Sequence, residues 1–150
     1  MVRPPLIYGR DAPGNFAQLL RLVRSGLPLP LGAVHNLRSF AAVDNVADLI
    51  ARCTWHPRAP GEVFLVSDDR DVSTPDFIRA IARACGRGAR LPPVPVSWLR
   101  FAARLAGVEA QLDKLIGSLQ LDVSRTVERL EWRPPLTLEA AMQAAVGSAT

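Results

Sequence analysis

Lysine and tyrosine are almost missing from this chain: its 150 residues hold one of each, Lys114 and Tyr8. They stand far apart, so no single helix can present the two side by side as a catalytic pair. Cysteine is also scarce. Cys53 and Cys85 lie in separate helix-like contexts with no second cysteine or histidine at metal-ligand spacing, which argues against zinc and for buried free thiols in a reducing compartment. His35 and His56 lack neighbours at triad or metal spacing and read as surface or capping residues. None of the ten glycines falls in a phosphate-cradling array. With aromatics at 6% against 49% apolar residues, the core is expected to be aliphatic. No apolar run approaches the ~20 residues of a membrane span, and no export signal is visible, so a cytoplasmic location and no membrane partner are expected.

Charge comes almost wholly from arginine, 17 residues against 14 acids, for a net +4. Arg21, Arg24, Arg79, Arg83, Arg100 and Arg104 fall along helix-like segments without interleaved aromatics, so no nucleic-acid partner is expected. The length suits one domain with a real core.

Hydrophobic periodicity then sets out the elements. Leu6-Ile7-Tyr8, closed by Gly9, is a short strand. From Asn15 the residues Phe16, Leu19, Leu20 and Val23 recur at helical spacing up to Gly26. An extended stretch at 27–34 follows, then a strand at 39–43, with Asp44 placed to cap a helix carrying Val46, Leu49, Ile50 and Cys53 on one face. Val63-Phe64-Leu65-Val66 reads as a strand buried on both faces. The acidic run Asp68-Asp69-Arg70-Asp71 reads as a solvated loop, too poor in oxygens for a calcium site. Ser73 or Thr74 caps a helix with Pro75 in its first turn. Beyond the prolines at 92–95 the chain turns helical, with Trp98, Leu99, Ala102 and Leu105 as one stripe, Leu112, Leu115 and Ile116 as another, and a last pair of helices hinged at Pro134-Pro135.

No local motif goes beyond an α/β domain; the order of segments does. Arg3-Pro4-Pro5-Leu6-Ile7-Tyr8-Gly9, Asn15-Phe16, Gly26-Leu27-Pro28-Leu29-Pro30-Leu31-Gly32, Arg38-Ser39-Phe40-Ala41-Ala42-Val43-Asp44-Asn45, Ser73-Thr74-Pro75-Asp76 and Leu130-Glu131-Trp132-Arg133-Pro134 occur in sequence. Together they resemble the C-terminal half of an extended short-chain dehydrogenase/reductase of the NAD-dependent sugar-nucleotide epimerase/dehydratase family, which counts UDP-glucose 4-epimerase among its members. The resemblance implies an α/β fold that is part of a Rossmann-like whole, with 1–66 associated with the sheet, 67–150 a mainly helical substrate-binding lobe, and the N-terminal NAD-binding half absent.

The same resemblance implies a site. Pro4 and Pro5 would floor the nicotinamide, since proline offers a rigid apolar face without an N–H, or stand as plain sheet-edge or entry prolines. Asn15 would meet the diphosphate and sugar, or serve as a plain N-cap. Leu29, Pro30 and Leu31 would lie along the base, Arg38 would pair the diphosphate through its planar guanidinium, and Phe40 would line the same pocket. Leu6 stands where many members carry a sugar-binding asparagine. No arginine occurs between Arg104 and Arg125 to be a second phosphate partner, which leaves Lys114; Asp122 and Ser124 read as a turn and cap. The implied ligand is a nucleotide-sugar, UDP-sugar foremost, and the cofactor NAD, bound mainly by the missing half. Without a Gly-rich loop or Tyr-x-x-x-Lys, the chain alone is expected to be inactive, with a homodimer open to the longer form. The alternative is a non-catalytic relic or interaction module that pairs with another chain through an exposed strand.

Overall fold

The structure is a computed structural model and describes residues 1–68 and 70–147; Asp69 of the acidic run and residues 148–150 lie outside the described residues. Strands β1 (Val2–Arg3) and β2 (Leu6–Tyr8) are separated only by Pro4 and Pro5, which bring no backbone N–H to a ladder. The prolines mark a change of partner. β1 pairs in parallel with β4 (Phe64–Leu65), whereas β2 pairs in parallel with β3 (Phe40–Ala42), Leu6 opposite Phe40 and Tyr8 opposite Ala42. Parallel neighbours need long crossovers. Helix α1 (Asn15–Ser25) lies between β2 and β3, and α2 (Val43–Trp55) between β3 and β4. Five helices follow: α3 (Thr74–Ala84), α4 (Val96–Leu105), α5 (Glu109–Ile116), α6 (Ser124–Leu130) and α7 (Leu138–Val146).

Alternation along the strands divides the core into two layers. Tyr8, Phe40 and Ala42 point into a cluster with Phe16, Phe77 and Met142, beneath α1, α3 and α7. Ile7 and Ala41 point the other way, towards Leu49, Phe64, Leu130 and Trp132. The core is mainly aliphatic, as expected, and the first cluster adds to it a group of four aromatic rings, Tyr8, Phe16, Phe40 and Phe77. Phe40 and Phe77 stack with ring centroids 3.8 Å apart, and Tyr8 meets Phe77 edge-on at 5.5 Å.

Several local signals hold. Gly26 ends α1 at φ 72°, Ser73 Oγ accepts from the Asp76 N–H at 3.1 Å to cap α3, and Asp122 accepts from the Ser124 N–H at 2.9 Å before α6. Others do not. α2 starts at Val43 directly from β3 with no side-chain cap, so Asp44 sits inside the first turn rather than capping it, where its charge still favours the helix end. Ile50 is 49% exposed instead of sharing the buried face of Val46 and Leu49, and Val63 falls outside β4 at 42% exposure. On α4, Leu99 packs against the core and Ala103 is buried, whereas Trp98 and Leu105 face outward; the expected single stripe mixed two faces. Cys53 and Cys85 are free and half-buried.

Gly32 is fixed by close approach. A Cβ there would stand 2.2 Å from the Leu91 carbonyl oxygen, next to the bond that the Gly32 N–H donates to the Pro92 carbonyl at 3.2 Å. Gly32→Ala should therefore lower stability by about 1–3 kcal/mol through overpacking against backbone; urea unfolding measures it, and an unchanged midpoint would contradict the packing.

Candidate functional site

A cleft of about 360 Å³ opens between α1, α5 and the start of β2. Its floor is apolar: Leu6 from β2, Phe40 from β3 and Phe77 from α3, continued by Phe16 and Leu19 of α1. Polar groups line it as well: Asn15 and Gln18 from α1, Gln111 and Lys114 from α5, and Arg38, which is bonded to the end of α5. Among the described residues no acidic side chain lines the cleft, so Arg38 and Lys114 set its charge. Apolar floor and cationic wall together suit an anionic ligand with a flat, weakly polar part.

Arg38 is held from several directions. Its backbone bridges Val72 and Leu119, and its Nη1 donates to the Gly117 carbonyl at 3.0 Å and to the Lys114 carbonyl. The guanidinium thus closes the C-terminal end of α5, where a cation complements the helix dipole. Among the described residues Nε and Nη2 make no hydrogen bond, which leaves donors for a ligand. Burial pulls the Arg38 pKa below the ordinary value. Asn36 supports the same wall: its amide nitrogen donates to Thr74 Oγ1 at 2.9 Å and to the Leu115 and Gly117 carbonyls at 3.1 and 3.0 Å, while its oxygen accepts from the Thr74 N–H at 2.9 Å. A single buried amide therefore locks α5 onto the start of α3. No pattern in the sequence singles out Asn36, Gln18 or Gln111.

Of the expected site residues, Asn15, Arg38 and Phe40 come together in this cleft, with Leu6 and Lys114. Asn15 is the first residue of α1 and makes no capping hydrogen bond, so the plain N-cap alternative is not what it does. Leu29, Pro30 and Leu31 do not line the cleft. The Leu29 N–H donates to the Arg90 carbonyl at 2.9 Å, and the Leu31 side chain is 7% exposed within the core. Pro4 is exposed and Pro5 half-buried where β1 gives way to β2.

Tyr8 and Asp68 form a separate, buried arrangement. The Tyr8 hydroxyl donates to Asp68 Oδ2 at 2.6 Å; Asp68 Oδ1 accepts from the Ala42 N–H at 2.9 Å and from Asn45 Nδ2 at 2.7 Å. Asn45 in turn exchanges two bonds with the Leu136 backbone. Asp68 is 5% exposed, which corrects its reading as part of a solvated loop: three donors from β2, β3 and α2 repay its burial. Burial pushes the Asp68 carboxyl above its ordinary pKa while those hydrogen bonds oppose the rise; burial, and then the Asp68 bond, push the Tyr8 phenol far above its ordinary value. A phenol so placed is neither in the cleft nor disposed to act as a base.

Comparison with known proteins supports the resemblance read from the segments. UDP-glucose 4-epimerase of Vibrio cholerae is 43% identical over 140 residues, which cover 93% of this chain and 43% of that protein. No protein-family model matches. Among solved structures, a human epimerase family protein with NADPH superposes with a TM-score of 0.74 at 16% identity, covering 98% of this chain and 48% of that one. UDP-glucuronic acid 4-epimerase from Bacillus cereus in complex with NAD gives 0.70 at 17% identity, covering 97% and 42%. At such identity the structures speak for the fold, a part of the Rossmann-like extended short-chain dehydrogenase/reductase architecture. The chain spans less than half the length of these relatives.

Proposed function

This chain is a relative, over part of their length, of the NAD-dependent epimerases and dehydratases, and we propose that it forms the nucleotide-sugar pocket of such an enzyme as its C-terminal portion. One observation carries the reading: Arg38, Lys114 and Asn15 share a cleft with the apolar side chains of Leu6, Phe40 and Phe77, and among the described residues no acid lines it. A diphosphate would engage Nε and Nη2 of Arg38 in charge-assisted hydrogen bonds and the Lys114 ammonium as a point charge. The cleft's lower part would take the sugar or the base against phenyl faces, and Leu6 offers the sugar no hydrogen bond. UDP-sugars are the substrates to expect, since the similar Vibrio cholerae protein is a UDP-glucose 4-epimerase.

Pro4 and Pro5, exposed and half-buried between β1 and β2, would lie under a nicotinamide ring, and the described residues hold no Gly-rich loop for the pyrophosphate of NAD. The chemistry NAD supplies when bound is uptake and return of a hydride. This chain's own contribution is to bind and orient the sugar nucleotide. Its single tyrosine is buried on Asp68, so no tyrosine base reaches the cleft from these residues. Two measurements test the reading on the purified protein. Calorimetry should detect UDP binding that exceeds uridine binding, and an assay with UDP-glucose and NAD should show no turnover. Absence of UDP binding by the folded protein overturns the pocket; turnover overturns the inactivity.

A further inference from the structure

Helix α5 stands on the cleft with little apolar contact to hold it. None of its eight residues is buried, and only Leu112, Leu115 and Ile116 are half-buried. A helix this short is marginal in water by itself, so it needs another anchor. The anchor lies at its C-terminal end, where a helix leaves its last carbonyls without intrahelical partners. Three side chains from outside α5 take them. Arg38 Nη1 reaches the Lys114 and Gly117 carbonyls, Thr74 Oγ1 donates to the Leu115 carbonyl at 2.6 Å, and Asn36 Nδ2 donates to the Leu115 and Gly117 carbonyls.

Asn36 joins all of these contacts. Its nitrogen also serves Thr74 Oγ1, and its oxygen accepts the Thr74 N–H. The side chain is 4% exposed and does not line the cleft. With three acceptors around its two amide hydrogens, it has no donor left for a ligand. Any part it plays in binding must therefore run through a neighbour. The Gly117 carbonyl is the point of contact, because it accepts from Asn36 and from Arg38 together. Asn36 fixes that oxygen, and the oxygen holds Nη1 of the guanidinium, which leaves Nε and Nη2 for paired phosphate oxygens. Only an amide meets the geometry. A carboxylate would set lone pairs against two carbonyls, and a leucine would leave the Thr74 N–H without its acceptor.

We propose that Asn36, with Thr74, is a positioning residue for diphosphate recognition: it latches the end of α5 and so holds the Arg38 guanidinium in its binding pose before a ligand arrives. The proposal rests on the sugar-nucleotide reading of the cleft. Donors ordered in advance bind more tightly than donors that must be ordered on binding.

Calorimetry on variants tests this. Asn36→Ala should weaken UDP binding at least about tenfold and uridine binding no more than about twofold. In an Arg38→Ala background the same substitution should weaken UDP binding no more than about twofold further, because the group it positions is gone. Thr74→Val removes the hydroxyl between Asn36 and the Leu115 carbonyl; it should show a smaller loss of the same kind, and Thr74→Ser should restore binding. These milder variants carry the test if Asn36→Ala does not fold. Unchanged UDP affinity in the folded variants, an equal fall for uridine, or the full loss repeated in the Arg38→Ala background overturns the proposal. Hydrogen exchange without ligand keeps its failure apart from failure of the pocket. The amides of 109–117 should exchange at least about tenfold faster in Asn36→Ala than in the unaltered protein. Unchanged exchange overturns the latch, whereas unaltered protein that binds no UDP overturns the pocket and the diphosphate role with it.

Discussion

Asp68→Ala should lower the free energy of unfolding by about 3–5 kcal/mol, a large share of the stability of a domain of this size. The substitution strands three donors at once: the Tyr8 hydroxyl, the Ala42 N–H and the Asn45 amide, each bonded to one carboxylate. Asp68→Asn keeps an oxygen for Ala42 and Asn45 and should cost less. Urea unfolding at neutral pH separates the two; equal losses would mean that the oxygen kept for Ala42 and Asn45 adds nothing.

The same pair makes stability depend on pH with a definite sign. Folding raises the Asp68 pKa, so between the ordinary carboxylate value of ~3.9 and its folded value the native state binds more protons than the unfolded one. Its contribution is therefore present at low pH and declines as pH rises through that window, and Asp68→Asn should abolish the slope. Tyr8 behaves alike on the alkaline side. Its raised pKa means that stability is lost as pH climbs past ~10, the value of a free phenol. Because the chain has one tyrosine, near-ultraviolet tyrosinate absorbance follows this group alone. It should appear only together with loss of helical circular dichroism; tyrosinate forming near pH ~10 in folded protein would contradict the burial of Tyr8.

Arg38→Ala should weaken UDP binding by about 30- to 100-fold, equivalent to about 2–3 kcal/mol for charge-assisted hydrogen bonds to phosphate. Uridine, which has no phosphate, should be affected only a few-fold, so the ratio of the two affinities reports the diphosphate contact. The control matters because Arg38 also holds the end of α5 through the Lys114 and Gly117 carbonyls. If uridine binding fell equally, the substitution would have opened the cleft wall rather than removed a phosphate partner. Arg38→Lys keeps a charge without the planar fork and should fall between the two.

Elements defined by local pattern were legible in the sequence. Helices α1 and α3 follow from apolar spacing with Gly26 and Ser73 as end signals, and β2 from Leu6-Ile7-Tyr8 closed by Gly9. What failed was sidedness and burial, which depend on distant partners. Asp68 stands in an acidic run that looks solvated, yet its donors come from positions 8, 42 and 45. On α4 both faces are apolar, and only the packed fold shows that Leu99 turns inward and Trp98 outward. Within the candidate site, Arg38, Asn15 and Phe40 were reached through segment order, and Lys114 as the remaining cation. Asn36 could not be found, because a buried asparagine in a connecting segment carries no periodic mark.

The strand pairing also sets when the fold can form. Leu6–Tyr8 pairs with Phe40–Ala42, Tyr8 reaches Asp68 60 positions away, and Asn45 must wait for Leu136, 91 positions later. A topology with such separations has high contact order and folds slowly. At ribosomal speeds of about 5–20 residues per second, those 91 positions take roughly 5–18 s to emerge. During that interval the nascent chain holds the aromatic residues of its first layer without the segment that closes over them. It is then a client for a chaperone, and a synonymous slow codon placed before Leu136 would lengthen its exposure.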